Sequence, residues 1–583
     1  MTIIQSPFPP LNLPETDIFS FVFDRKDRPF PKHHTIFQDS ETDTAYSYAD
    51  IKRKSEAVGR ALKARFQWRK GDVLAMFSQN NIDYPAVVLG TLWIGGIFSP
   101  ANPQYTAREF ASQLKDSGAR AVVTQGSLMR TVKEALRISG LPDDCIILLD
   151  DLQEPFQQYP RADSWRTEVT QDQERNFKPK SDVAFLVYSS GTTGKPKGVK
   201  LTHYNVTSNI CQLQPGDQEY LTWNGSKTCR DIPLPQSGSD KLLAFSPFYH
   251  IYGLTKTIIN SLFTGSTTIV MPRFEIEKWC SLVQKHSITF TYIVPPIVLL
   301  LCKHPAISKY DFSSIRMANS GAAPLSQELV DACYQITGIR IKQGYGMTET
   351  CPTVFNQTWD EWDTPIGSTG KLVPNVESKV CTPSDAAETT STSTGSEPDP
   401  LPQGAVGEIY VRGPNVFSGY HNNPLATAEC LSSTGWYRTG DVGFIDASGN
   451  LFITDRVKEL IKYKGSQVAP AELEGYLTDH PLVDDCAVVG INSEELKTEL
   501  PRAYVVPKGG NVAAMTQEDA DSIVKWLSSR VASHKRLRGG VKFVPEIPKS
   551  ASGKILRRVL KGRASSEVVG STESRAKDVR PKL

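Results

Sequence analysis

The sequence predicts an α/β protein: a large N-terminal domain of layered α/β sheets with a β-rich subdomain at its end, then a small α+β C-terminal domain. Three observations carry that reading. The chain has 583 residues, more than a single hydrophobic core usually covers, so at least two domains are expected. From about residue 45 to 370, short apolar runs alternate with amphipathic stretches, the pattern of strands and crossover helices in largely parallel sheets. After Arg456 the pattern changes to a unit of roughly one hundred residues, enough for a separate domain. The boundaries are therefore drawn at 1–456 and 457–563, with a flexible polar tail over 564–583.

The strand-like runs are VLAMFS (73–78), AVVTQ (121–125), IILLD (146–150), AFLVYSS (184–190), GVKLTH (198–203), FTYIV (290–294) and IKQGYG (341–346). AVVLGTLWIGGIF (86–98) is shorter than the roughly 20 residues of a spanning helix, and reads as a buried helix passing through Gly95–Gly96 into a strand. The segment 382–400, TPSDAAETTSTSTGSEPDP, lacks the apolar surface to fold, so a disordered surface insertion is expected over about 382–403. GEIYVRG (407–413) and WYRTGDVGFIDASGNLFITDR (436–456) make the β-rich part, with DASGN as a hairpin turn. In the small unit the expected order is ELIKYKG, a helix starting at 469–474, strands at 486–491 and 502–509, a helix over 519–531 and a strand over 540–547. There is no internal repeat.

Composition excludes several classes of function. A hydrophobic content of 39% and a charged content of 22% describe an ordinary soluble globular chain. Lys+Arg 65 against Asp+Glu 63 gives a net charge of +2, which offers no field for nucleic acid. The 10 cysteines contain no CxxC pair and no metal-ligand spacing, which suits reduced thiols in an intracellular compartment. Neither a secretory signal nor a transmembrane segment is expected. Pro581-Lys582-Leu583 resembles the S-K-L peroxisomal address, so peroxisomal location through an import receptor is one expectation and a cytoplasmic location the other.

The most informative stretch is YSSGTTGKPKG, Tyr188 to Gly198. A Walker A loop needs four residues between its glycines and a Ser or Thr after its lysine. Here two residues separate Gly191 from Gly194, and Pro196 follows Lys195, which disfavours the helix start that P-loop proteins use to hold phosphate. What is left is a Ser/Thr/Gly loop between two strands, suited to wrapping phosphate oxygens or serving as a plain turn.

Together with NSGAAPL, QGYGMTET, GWYRTGD, DRVKELIKYKGSQVAPAELE and PKSASGKILRR, this stretch makes the chain similar to the adenylate-forming enzymes (acyl-CoA synthetases, luciferases and peptide-synthetase adenylation domains). It most resembles their 4-coumarate–CoA ligase-like branch, over roughly residues 40–562. The resemblance implies an AMP-forming acid–CoA ligase using ATP, Mg²⁺ and CoA: ATP and a carboxylic acid give an acyl-adenylate and pyrophosphate, and CoA then displaces AMP. Anion attacking anion requires aimed cations and donors. By resemblance, Ser189, Ser190, Gly191, Thr192, Thr193 and Lys197 form the phosphate loop, and Thr348 and Glu349 meet the α-phosphate, with Glu349 as the Mg²⁺ ligand. Ala322, Gln343 and Gly344 wall the adenine. Asp441 holds the ribose, since a carboxylate accepts from two hydroxyls, with Arg456 across the nucleotide. Lys554 touches the attacking carboxylate. Lys458 lies at the hinge about which the small, mobile domain turns, bringing up Lys462 and Gln467 for catalysis and Lys464 and Gly465 for CoA. Arg273 is placed at a CoA phosphate.

For the acid, His250 matches the mouth of the acyl pocket and Tyr252 its wall, with Lys256, Asn319, Pro352, Thr353 and Val354 as further lining. Lys256 and Asn319 depart from the plant coumarate ligases. An inward Lys256 would need an anionic partner; pointing outward along the surface is the expected arrangement, because unpaired buried lysine is rare. The insertion at 214–239 is expected to cover this pocket. Aryl (phenylpropanoid-like) and medium-chain fatty acids are both open, and transfer to a separate carrier protein or luciferase-like oxygenation are the alternative fates of the adenylate.

Overall fold

The computed structural model describes residues 2–149, 177–189, 196–217, 220–224, 239–323, 325–363, 367–383, 398–456, 459–463, 466–493, 496, 498–531, 533–550 and 553–564. Ser190, Gly191, Thr192, Thr193, Lys458, Lys464, Gly465, the side chain of Gln467 and the tripeptide Pro581-Lys582-Leu583 lie outside the described residues.

Two large sheets and a β-rich sheet build the first 456 residues. The first, of six strands, runs in the order Ile146–Leu148, Ala119–Thr124, Val73–Phe77, Ile97–Ala101, Val183–Ser189, Lys197–Thr202. It is parallel until its last pair, which is antiparallel and places Ser189 opposite Lys197. The second, of nine strands, has a parallel centre in which Met317–Ser320 lies between Phe290–Ile293 and Ile341–Gly346. Strands such as Val73–Phe77, buried at every residue, read as continuous apolar runs because helices cover both faces. The helix Tyr84–Trp93 is buried throughout and is followed by the strand Ile97–Ala101. It packs on the helix Tyr48–Phe66 closely enough that a Cβ on Gly90 would stand 2.5 Å from the Ser55 carbonyl.

The β-rich sheet orders Ile4–Gln5, Glu377–Cys381, Gly407–Arg412, Tyr437–Ile445 and Leu451–Arg456. Its last hairpin turns on Asp446, whose carboxylate accepts from the Ser448 and Asn450 amides at 2.9 and 2.8 Å. Part of the expected disorder at 382–403 does not hold. Residues 398–403 are placed, because the Leu401 amide donates to the Val380 carbonyl at 2.7 Å and its side chain packs on the core. The insertion expected from 214 is also shorter at its start, since Gln214–Asp217 complete the helix His203–Asp217.

Residues 461–564 enclose two small cores on the faces of a three-stranded sheet, Val483–Ser493, Thr498–Pro507 and Val541–Phe543. The strands are longer than the apolar runs that announced them, because Asn492–Glu499 pairing extends the ladder through polar residues. Arg557, on the helical turns 557–564, binds both carboxylate oxygens of Glu474 at 2.8 and 2.7 Å and one of Glu459 at 3.3 Å. Burial raises the Glu474 carboxyl above its ordinary range, and Arg557 opposes that rise. Arg557→Ala would leave two half-buried carboxylates without their cation, and we expect a loss of about 2 kcal/mol in the small domain's stability, readable as earlier amide hydrogen exchange there.

Candidate active site

A single cleft of about 1800 Å³ runs between the two large sheets, the β-rich sheet and the small domain. Its lining includes Ser189, Lys197, Arg273, His250, Tyr252, Ala322, Thr348, Glu349, Asp441, Arg456, Lys462 and Lys554. Gln343, Gly344, Lys256, Asn319, Pro352, Thr353 and Val354 are not in its lining. Thr353, Val354 and Asn319 are buried in the wall behind it, and the Gln343 amide is bonded to the Gln357 side chain at 2.6 Å.

Glu349 sits in a short 3-10 turn, Thr348–Thr350, directly after the strand Ile341–Gly346. One carboxylate oxygen accepts from the Tyr420 hydroxyl at 2.9 Å and faces the Ser189 hydroxyl at 3.5 Å. Burial raises the Glu349 carboxyl, while its hydrogen bonds and the Arg456 and Lys197 charges hold it down. Lys197 lies 4.9 Å from the Tyr420 ring centre. Tyr420 is brought here because residues 418–421 pair with the strand Lys197–Thr202: the Lys200 amide donates to the Gly419 carbonyl and the His421 amide to the Gly198 carbonyl. Nothing in the spacing around Tyr420 announced this.

Asp441 and Arg456 are register partners on neighbouring strands, so their side chains share a face and meet at 2.7 Å. Asp441 is 4% exposed and the Arg456 side chain 31%, so the pair is half-buried at the cleft wall and less screened than a fully exposed ion pair. The Tyr345 hydroxyl donates to its second oxygen at 2.7 Å. Tyr345 lies inside QGYGMTET and was not singled out from sequence, although its place in a glycine-flanked strand end was the available signal.

His250 caps the short helix Ile251–Gly253 by accepting from the Tyr252 amide through Nδ1, at 3.2 Å. Burial lowers its pKa to about 4, so at neutral pH the ring is uncharged, and with Nδ1 accepting, the proton resides on Nε2. The Tyr252 hydroxyl donates to the Asn319 carbonyl at 3.0 Å, and its ring meets Tyr292 edge-on at 5.4 Å. The expectation that Lys256 points outward is overturned. It is 2% exposed, on the π-helical turn Leu254–Ile259, because Tyr292 and the Lys342–Asp217 pair close over it.

Lys554 follows a tight turn in which the Ser550 hydroxyl accepts from its amide at 3.2 Å. Gly553, with φ +80°, leaves room for Pro296: a Cβ there would stand 2.7 Å from the proline ring. The lysine loop thus seats on the first turn of the helix Pro295–Lys303, and Lys303 pairs with Asp484 of the small domain at 2.5 Å. Lys462, in the hairpin Ile461–Tyr463 and Ser466–Val468, lines the same cleft. Both lysines therefore border one space in this arrangement.

The cleft brings together a Ser/Lys strand hairpin, an Asp–Arg pair and a lysine carried by the C-terminal unit, an arrangement suited to a nucleotide-dependent ligase. Comparison gives the particular family: residues 23–421 match the AMP-binding enzyme family and residues 472–554 the AMP-binding enzyme C-terminal domain, and the chain belongs to that family. It is 36% identical over 539 residues to a 4-coumarate–CoA ligase of Vanilla planifolia and 35% identical over 531 residues to 4-coumarate:CoA ligase 1 of Petunia hybrida, with 90% of each chain covered in both cases. Among solved structures, ATP-bound MatB from Rhodopseudomonas palustris superimposes with a TM-score of 0.78 at 26% identity, covering 94% of this chain and 98% of that one. O-succinylbenzoate CoA synthetase (MenE) from Bacillus subtilis, holding its acyl-adenylate intermediate, gives 0.73 at 25%, covering 93% and 98%. The protein is an acid–CoA ligase that works through an acyl-adenylate.

Proposed function

We propose that the acid is an aryl, phenylpropanoid-type acid, that the adenylation step is Mg²⁺-dependent, and that the residues of the cleft act as follows. Ser189 and Lys197 hold the β- and γ-phosphates of ATP. Thr348 donates to the α-phosphate, and Lys554 steadies the attacking carboxylate against the negative charge it approaches. Asp441 accepts from the ribose hydroxyls, with Tyr345 fixing its orientation. Glu349 is the residue that would hold Mg²⁺: a buried carboxylate that meets the Tyr420 and Ser189 hydroxyls through one oxygen keeps acceptor capacity for a hard cation, and one carboxylate plus substrate phosphates is the usual Mg²⁺ environment. When bound, the ion neutralises phosphate charge. Arg273 and Lys462 face the side where CoA enters.

The observation that carries the choice of acid is the Tyr252–Tyr292 edge-on pair at 5.4 Å and 73° beside His250, a wall whose geometry favours a ring over a flexible chain. The test is CoA-dependent AMP release with a panel of cinnamic acids against C6 to C12 fatty acids. Faster turnover of fatty acids would sink the aryl reading; adenylate without CoA-dependent release would favour carrier-protein loading, and oxygen uptake would favour luciferase-like chemistry. Asp441→Ala is expected to raise the KM for ATP roughly 10- to 100-fold, since each hydrogen bond to a charged group contributes about 1.5–3 kcal/mol, with the KM for CoA little changed. Peroxisomal import through Pro581-Lys582-Leu583 is proposed alongside, and loss of punctate location on deleting Leu583 is its check.

A further inference from the structure

We propose that Lys256 reads a carboxylate at the far end of the acid, so that the enzyme takes dicarboxylic aryl acids and thioesterifies one end. The inference rests on the aryl-acid reading above and deepens it.

The charges buried around this lysine do not balance. Lys342 Nζ is bonded to the Asp217 carboxylate and to the Gln357 carbonyl at 3.1 Å, and the Trp359 indole donates to the same Asp217 at 3.1 Å. In the next layer Arg316 pairs with Asp240 at 2.8 Å. Each buried carboxylate has its own cation, and Lys256 is the surplus one. Among the described residues no side chain or carbonyl hydrogen-bonds its Nζ, which lies 5.7 Å from the centre of the Tyr292 ring. The Tyr292 hydroxyl is itself buried.

Two rings separate this surplus cation from the cleft. Tyr252 lines the cleft, Tyr292 packs against Tyr252, and Lys256 lies against Tyr292. Lys256 also follows Tyr252 by four positions, a spacing that keeps both near one helix face. The turn between them is π-helical, Leu254–Ile259, a geometry that is rare and found mostly at functional sites. The described flank of the insertion, Tyr220 and Leu221, packs in the same cluster as Tyr252 and Tyr292.

A buried ammonium with no anion is costly. Burial lowers the Lys256 pKa to about 7, with Asp217 opposing and Lys342 reinforcing the shift, so the folded protein holds a partly neutral amine that a carboxylate reaching it would find or make cationic. A phenol, which ionises near pH 10, and a methyl group offer no such charge.

The test uses 4-carboxycinnamate, 4-hydroxycinnamate and 4-methylcinnamate, titrated calorimetrically with AMP present into the protein, Lys256→Met and, as a second variant, Lys256→Gln, each first checked for a cooperative melt. The protein is expected to bind the carboxyl compound roughly tenfold or more tighter than the methyl compound. The variants are expected to lose that preference, and kcat/KM ratios to follow. Tightest binding of the hydroxyl or methyl compound by the protein, a carboxyl preference that survives in both variants, or no binding of any of the three would overturn the proposal. A Lys256-dependent carboxyl preference in binding without CoA-dependent AMP release from any of them would uphold it and overturn the aryl-acid ligase reading instead.

Discussion

Lys554→Ala is expected to slow acyl-adenylate formation by about 10²–10³-fold, the usual loss when one preorganised charged donor at a developing anion is removed. The structure gives this lysine few substitutes at its position. It arrives on a turn pinned by Ser550 and seated against Pro296, on a loop whose glycine has φ +80° and no room for a Cβ. Lys462 borders the same cleft but comes from the hairpin Ile461–Tyr463 and Ser466–Val468, held at its backbone by Glu499 at 2.7 Å. The measurement is pyrophosphate–ATP exchange for the first half-reaction, beside CoA-dependent release of AMP from supplied acyl-adenylate. A matching loss in both halves would contradict a role confined to adenylation. Equal exchange rates for variant and parent would remove Lys554 from the chemistry altogether.

Lys256→Met is expected to stabilise the protein at pH 7.5, by an amount on the order of 3 kcal/mol, and the gain should shrink with rising pH. The sign follows from proton counting. The folded Lys256 pKa is lowered from 10.5 to about 7 by burial. Between those values the unfolded chain binds a proton that the folded chain does not, so the parent gains stability as pH rises, by about 1.4 kcal/mol per unit at most. Below about pH 7 both states carry the proton and the penalty is constant. Scanning calorimetry at pH 7.5 and 9.5 checks this: the difference in Tm between variant and parent should narrow at the higher pH. A variant less stable than its parent at pH 7.5 would mean that Lys256 has a partner in the folded state. A destabilising group kept in a core is the expected signature of a site that trades stability for binding.

The hairpin that faces Ser189 to Lys197, the Thr348–Glu349 turn and the Asp441–Arg456 pair were all legible in the sequence because each lies in one contiguous stretch. Local chemistry there is fixed by order along the chain: Ser189 faces Lys197 across a hairpin, and Asp441 faces Arg456 across another. The partners that complete them were not legible. Tyr420 reaches Glu349 only because residues 418–421 dock on the strand Lys197–Thr202, and Pro296 meets Gly553 across a domain boundary. Such contacts join segments 71 to 257 positions apart, and no local spacing encodes them.

By itself the sequence determined the α/β layering, the change of architecture after Arg456, and the kinship of the motifs that line the cleft, since hydrophobic periodicity and turn chemistry are local properties of the chain. Burial is not local. Whether Lys256 lies along the surface or inside depends on what closes over it, and in the folded chain that is decided by Tyr292 from one strand, Lys342 from another and Asp217 at the end of a helix. The tertiary structure alone sets that charge balance.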